Sequence, residues 1–305
     1  MAKRIEVLWS GGWDSTFMLC KLAWENDAKI QPYYLDIDRP GQKEEHRAMQ
    51  RIMAVLKKKK DLKGKLLPVK LVPQKFFIPS DDVEEAWHKY KGNPYKIGGQ
   101  QRFLAEFSKT HKGICWGQER YLETPGHMTR LLMDKGGLRF TESGVGYFEK
   151  EAADPDVYTL FGNLTCPVAK YSELMMWDVI RQRGYEDVFQ HVHFCYFPID
   201  GKPCGMCLPC EVKMKQKLNF LFPDEALKRN RIYNALFRDE FVLLKTQELL
   251  DISTCFKLYV DPLFKEDFLK QYIDPQTILS RFIGNKVDSA ILFYKDYFDE
   301  LLGST

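Results

Sequence analysis

Two periodicities alternate along residues 4–75, and that alternation restricts the fold more than any other feature of the chain. "RIEVLW" (4–9) alternates apolar and polar positions among β-forming residues, which predicts a strand. Residues 15–26 then place Phe17, Met18, Leu19, Leu22, Ala23 and Trp24 so that a helix buries one side. "KIQPYYLDID" reads as a second strand ended by the turn "RPGQ", residues 43–60 as a second helix, and "KLLPVKLV" as a third strand. This order predicts an α/β fold: a doubly wound parallel sheet, joined by right-handed crossovers and covered by helices on both faces. Such sheets bind ligands outside the carboxyl ends of their strands.

Directly after the first strand, at that location, stands "SGGWDST" (10–16). A glycine turn entering a helix presents backbone N–H groups to an anion, and the helix dipole adds positive potential at the same place. Ser10, Ser15 and Thr16 add hydroxyl donors; Asp14 suits a magnesium ion held against phosphate oxygens, or a helix cap. An ordinary strand-to-helix connection, with Asp14 or Ser15 acting only as a cap, is the ligand-free alternative. The stretch lacks the lysine of the Walker loop G-x-x-x-x-G-K-[ST].

A second constellation is "FCYFPIDGKPCGMCLPCEVKMK", which spaces Cys195, Cys204, Cys207 and Cys210 as C-x8-C-x2-C-x2-C. Overlapping C-x-x-C steps let sulfurs converge from a tight turn, which Gly205 and Pro209 suit. Four thiolates close a tetrahedral structural zinc site, while C-x2-C-x2-C runs also hold iron–sulfur clusters, so spacing leaves both open. Cys20, Cys115, Cys166 and Cys255 stand singly in apolar contexts and are expected in the core. His191 and His193, near the cysteines, read as structural or exposed rather than as ligands.

"SGGWDST" resembles the SGGxDS signature of the PP-loop (N-type) ATP pyrophosphatase superfamily, with Trp13 at its variable position. The resemblance implies a PP-loop, HUP-like fold in which Ser10, Gly11, Gly12, Trp13, Asp14, Ser15 and Thr16 bind ATP. The α-phosphate is then attacked and pyrophosphate leaves. Paired with the cysteine spacing about 180 residues further on, the loop resembles the 7-cyano-7-deazaguanine synthase family, of queuosine biosynthesis. That resemblance implies zinc at the four cysteines, ATP with Mg2+, a small deazapurine substrate and ammonia. "RPGQKEEH" looks like the family's "YGQ" turn, and "TCPVAKYSEL" is similar to its T-P-L segment with a following lysine and glutamate; it offers Lys170 as a catalytic partner to Asp14 and Ser15. The likeness covers about residues 4–213. It fails at "KIGGQQRF", where the family has "PGRN", and at "WGQERYLETPGHMTR", where it has a substrate stretch; Glu119 and Glu123 there read as substrate contacts or solvated loop residues.

The 305 residues allow one large domain with an appendage, here 1–213 with its zinc element at 195–210, followed by an α-helical extension at 214–305. Pro223, Pro262 and Pro275 divide the extension into about four helices, which pack on the core or on a second copy in a homodimer. No apolar run approaches the roughly 18 residues of a membrane span, and "MAKRIEVLW" lacks the apolar core of a secretion signal, so a cytoplasmic location is expected. Net charge is only +3, yet residues 41–75 hold eleven Lys or Arg against three Asp or Glu. A solvated helix end and lysine-rich loop account for that stretch; a nucleic-acid surface is the alternative. Three functions follow: a 7-cyano-7-deazaguanine synthase-like ligase, a relative activating another nucleic-acid base, protein or small molecule in a phage or defence pathway, and an inactive nucleotide-binding module.

Overall fold

The computed structural model describes residues 3–37, 41–91, 95, 97–120, 128–199, 201–227 and 230. Part of the "RPGQ" turn, Glu123, Cys255, Pro262, Pro275 and most of the 214–305 extension lie outside these residues. The described chain groups into two units. One runs to residue 203 and resumes at Cys207–Leu221; the other comprises the described residues of 204–206 and of the chain beyond 221.

The first unit is built on β1 (Arg4–Leu8), β2 (Lys29–Asp36), β3 (Lys65–Leu66), β4 (Lys70–Pro73), β5 (Ile114–Cys115) and β8 (Leu164–Thr165). They form one sheet in the order β3-β2-β1-β5-β8, with β4 also on β2, and every pairing is parallel. β6 (Leu138–Phe140) and β7 (Gly146–Phe148) make a separate antiparallel hairpin. The chain leaves β1 toward β2 and later returns to β1's other side as β5. β1 is therefore the point where the strand order reverses.

Period-two alternation divides the apolar residues between the two faces. Val7, Trp9, Ile30 and Tyr34 belong to a core formed with α1 (Trp13–Glu25), α2 (Gln42–Leu56), α7 (Glu173–Arg183) and α8 (Glu186–Phe189). Leu8, Tyr33, Leu35 and Ile37 belong to the other, with α3 (Asp81–Tyr90), α4 (Gln100–Thr110), α5 (Met128–Asp134) and α6 (Pro155–Phe161). α9 (Leu208–Lys215) follows the cysteines, and Leu218 beyond it is buried in the first core.

The expected third strand is two strands, and proline is the cause. Pro68 has no N–H for the ladder, nor has Pro32 across from it. The Gln31 side chain bridges the gap, donating to the carbonyls of Pro68 at 2.7 Å and Pro32 at 3.0 Å. α2 ends at Leu56 rather than at 60, so the lysine run at 57–60 lies just past it.

The exit of β5 presses on the start of α1. A Cβ on Gly117 would lie 2.8 Å from Ser15 Cα and 2.9 Å from Ser15 N, so only glycine lets the two backbones meet. Gly117→Ala is expected to destabilise the protein by about 1–3 kcal/mol in urea unfolding, because rigid backbone has to move. A change below a few tenths of a kcal/mol contradicts this close approach.

Candidate active site

The glycine loop lies at the carboxyl end of β1. Gly11 takes a φ of +74°, a left-handed conformation that favours glycine. Gly12 is the N-cap of α1, and no side chain caps this helix end. Neither Asp14 nor Ser15 is therefore used up as a cap of the first-turn amides. The Ser10 and Ser15 hydroxyls hold each other loosely at 3.3 Å, with further contacts of 3.4 Å to loop backbone, so a ligand can replace these bonds cheaply.

Two residues of the motif are packed behind the loop. Thr16 is fully buried and its hydroxyl accepts the Trp9 indole N–H at 3.0 Å, which braces the loop from behind. The Trp13 side chain is 1% exposed, packed edge-on to Phe189 and tilted against Trp177, which leaves only its backbone for a ligand. Beside the loop opens a cleft. It is lined by the loop residues Ser10, Gly12, Asp14 and Ser15, by the apolar and aromatic Tyr33, Leu35, Ile37, Leu104 and Trp116, and by Gln100. Gln100 comes from "KIGGQQRF" (96–103), where the chain departs from the synthase pattern, and Trp116 opens the other such segment.

Beneath the loop, carboxylate oxygens of Asp14, Glu119 and Glu173 lie within 4.8 Å of one another. They come from α1, from the β5 exit and from the first residue of α7, whose start Ser172 caps by accepting the Met175 N–H. Lys213 of α9 is 4% exposed and ion-pairs with Glu173. Its Nζ also sits 5.5 Å from the Trp13 ring centroid and 5.1 Å from that of Phe194. Gln216 donates to Glu119 at 3.1 Å and accepts the Glu173 backbone N–H at 3.1 Å. Among the described residues Asp14 Oδ1 and Glu173 Oε2 are buried with no hydrogen-bond partner. Burial, and then the Glu173 charge, push the Asp14 carboxyl up to about 7. Burial and the Asp14 charge raise Glu119 well above the usual carboxylate range. Burial alone would lower Lys213, but the surrounding carboxylates outweigh it and keep the ammonium charged.

The four cysteines converge as their spacing predicts, with all four sulfurs within 4.8 Å of one another. Cys207 Sγ is 3.4 Å from Cys210 Sγ and 3.9 Å from Cys195 Sγ. A tetrahedral zinc with Zn–S bonds of ~2.3 Å sets sulfurs about 3.8 Å apart, so the cluster fits one such ion. Cys207 is the N-cap of α9, and the Met206 N–H points at Cys204 Sγ at 3.3 Å. The segment leading into the cysteines touches the glycine loop, since His193 N donates to Gly11 O at 3.0 Å. Cys20, Cys115 and Cys166 are buried free thiols, as expected of core residues.

Lys170 is exposed, with Nζ 4.7 Å above the Phe140 ring of the β6–β7 hairpin. The buried lysine of this site is Lys213, in "CEVKMK", where nothing in the sequence separates a buried lysine from a solvated one. Glu173 is the glutamate of "TCPVAKYSEL", and Glu119 was one of two ambiguous acids. Within the basic run Lys59 pairs with Asp187 at 2.8 Å and lies over the Tyr185 ring, while Lys57, Lys58 and Lys60 are exposed. Among the described residues, no helix is long and apolar enough to cross a membrane.

No protein-family model matches the chain. No curated protein matches it. Among solved structures it is similar to the U34-tRNA thiolase NcsA from Methanococcus maripaludis with its 4Fe-4S cluster: 16% identity over 80% of this chain and 75% of that one, with a TM-score of 0.35.

A carboxyl raised to about 7 binds a proton that the unfolded chain, at the ordinary value of 3.8, has already released. Stability therefore falls as pH rises from about 4 to about 7 and levels off above that. Asp14→Asn removes Asp14's share of this slope, so its gain in urea midpoint over the parent protein is expected to be larger at pH 8 than at pH 5. Equal gains at both pH values would contradict the buried, raised carboxyl.

Proposed function

We propose that this chain is a PP-loop ATP pyrophosphatase that activates a carboxylate by adenylation. The observation that carries the proposal is the juxtaposition at the sheet's reversal point of an uncapped glycine loop and an aromatic cleft. The first suits phosphates and the second a base. In this reading the amides of Gly11 to Ser15 and the two serine hydroxyls hold the β- and γ-phosphates. Asp14, with its unpartnered buried Oδ1, fits a Mg2+ against the phosphate oxygens. The four cysteines fit a zinc ion, which when bound supplies a structural cross-link with no open coordination position.

Following the family resembled, the acceptor is 7-carboxy-7-deazaguanine. Its carboxylate oxygen attacks the α-phosphate and pyrophosphate leaves; ammonia then attacks the acyl carbon and AMP leaves, giving the amide. A second ATP activates the amide oxygen, and loss of AMP with the nitrogen's protons gives the nitrile. The protein contributes positioning and charge stabilisation rather than a nucleophile. A second reading, the same adenylation on a different acceptor, is favoured by Gln100 and Trp116, which bring the two departing segments to the cleft.

Incubation with ATP, Mg2+, ammonium and 7-carboxy-7-deazaguanine should release pyrophosphate and yield a product of nitrile mass. Pyrophosphate released only with RNA or a protein acceptor supports the second reading. ATP binding with no turnover on any acceptor leaves a nucleotide-binding module and removes both. Asp14→Ala and Ser15→Ala are each expected to lower pyrophosphate release by about a hundredfold or more. Unchanged turnover in both overturns the loop assignment.

A further inference from the structure

We infer that Lys213 is a positioning residue through which metal occupancy of the cysteine cluster sets the nucleotide affinity of the glycine loop. This inference rests on the nucleotide reading of the loop given above. Lys213 lies three residues after Cys210, on the helix whose N-cap is Cys207. α9 is only Leu208–Lys215, so two of its first residues or flanking positions are metal ligands while its far end carries this ammonium. A short helix of this length is marginal without outside support, and a metal that fixes Cys207 and Cys210 supplies that support at its start.

The other end of the linkage is in the loop. Lys213 is the ammonium buried among Asp14, Glu119 and Glu173, and it lies between the rings of Trp13, inside the motif, and Phe194, beside Cys195. Three buried carboxylates with one ammonium carry less net negative charge under the loop than three carboxylates alone. Withdrawal of Lys213 would leave the loop over three acids with no counter-charge, which opposes the binding of phosphate anions there. The His193 N–H to Gly11 O bond adds a backbone tether between the cysteine segment and the same loop. Metal binding and nucleotide binding thus bias one arrangement, and linkage requires each to favour the other.

The test is calorimetric ATP–Mg2+ binding to the full chain, zinc-loaded and zinc-stripped, for the parent protein and Lys213→Met. Stripping is expected to weaken binding to the parent protein ~10-fold. Lys213→Met is expected to keep one equivalent of zinc, to bind ATP weakly in both forms, and so to lose most of the stripping effect; Lys213→Arg should restore part of it. Equal affinity of the loaded and stripped parent protein overturns the inference, as does a Lys213→Met variant with the parent's stripping ratio. Should Lys213→Met not fold, Glu173→Gln, which keeps the lysine but breaks its ion pair, is judged by the same ratio. A parent protein that binds no ATP in either form overturns the nucleotide reading itself, and that outcome is distinct from binding without zinc dependence.

Discussion

Three carboxylates and one ammonium buried under a glycine turn form the constraint on which the rest of this site depends. Uncompensated buried charge costs several kcal/mol per ion, so Asp14, Glu119 and Glu173 stand together through the Lys213 ammonium paired with Glu173 and through the raised, proton-holding carboxyls of Asp14 and Glu119. Each comes from a different element: the first turn of α1, the exit of β5, the first residue of α7 and the last turn of α9. The network therefore ties the start of the chain to the segment after the cysteines. It also explains why the loop's aspartate is neither a helix cap nor a solvated acid.

The sheet makes this meeting possible. Because β1 has β2 on one side and β5 on the other, its carboxyl end faces a crevice that neither crossover covers. Gly117 brings the β5 exit against Ser15, and Glu119 follows two residues later. The cysteine segment closes in from another side through the Gly11–His193 bond. Thr16 and Trp13, although inside the signature, serve the packing behind the loop. Such packing holds the backbone of the glycine turn in one arrangement.

Much of the fold was legible from local pattern. The strand and helix periods over 4–75 predicted the parallel sheet that β1, β2, β3 and β4 form. The split of the third strand depended on two prolines facing each other across a ladder, a pairing the sequence cannot display. Lys170 and Lys213 show the same limit within the site. Both are lysines beside plausible motifs; one is solvated over Phe140 and the other buried among acids.

The sequence alone determined the glycine turn at a strand end, the helix that follows it and the cysteine spacing that lets four sulfurs converge. These are local properties, decided by backbone freedom and by side-chain period within a few residues. Only the tertiary structure decided which acids face Asp14, which lysine compensates them and which motif residues face the cleft. Those partners are separated by about forty to two hundred positions along the chain. Their interaction energies exist only after the sheet has excluded water and brought them together.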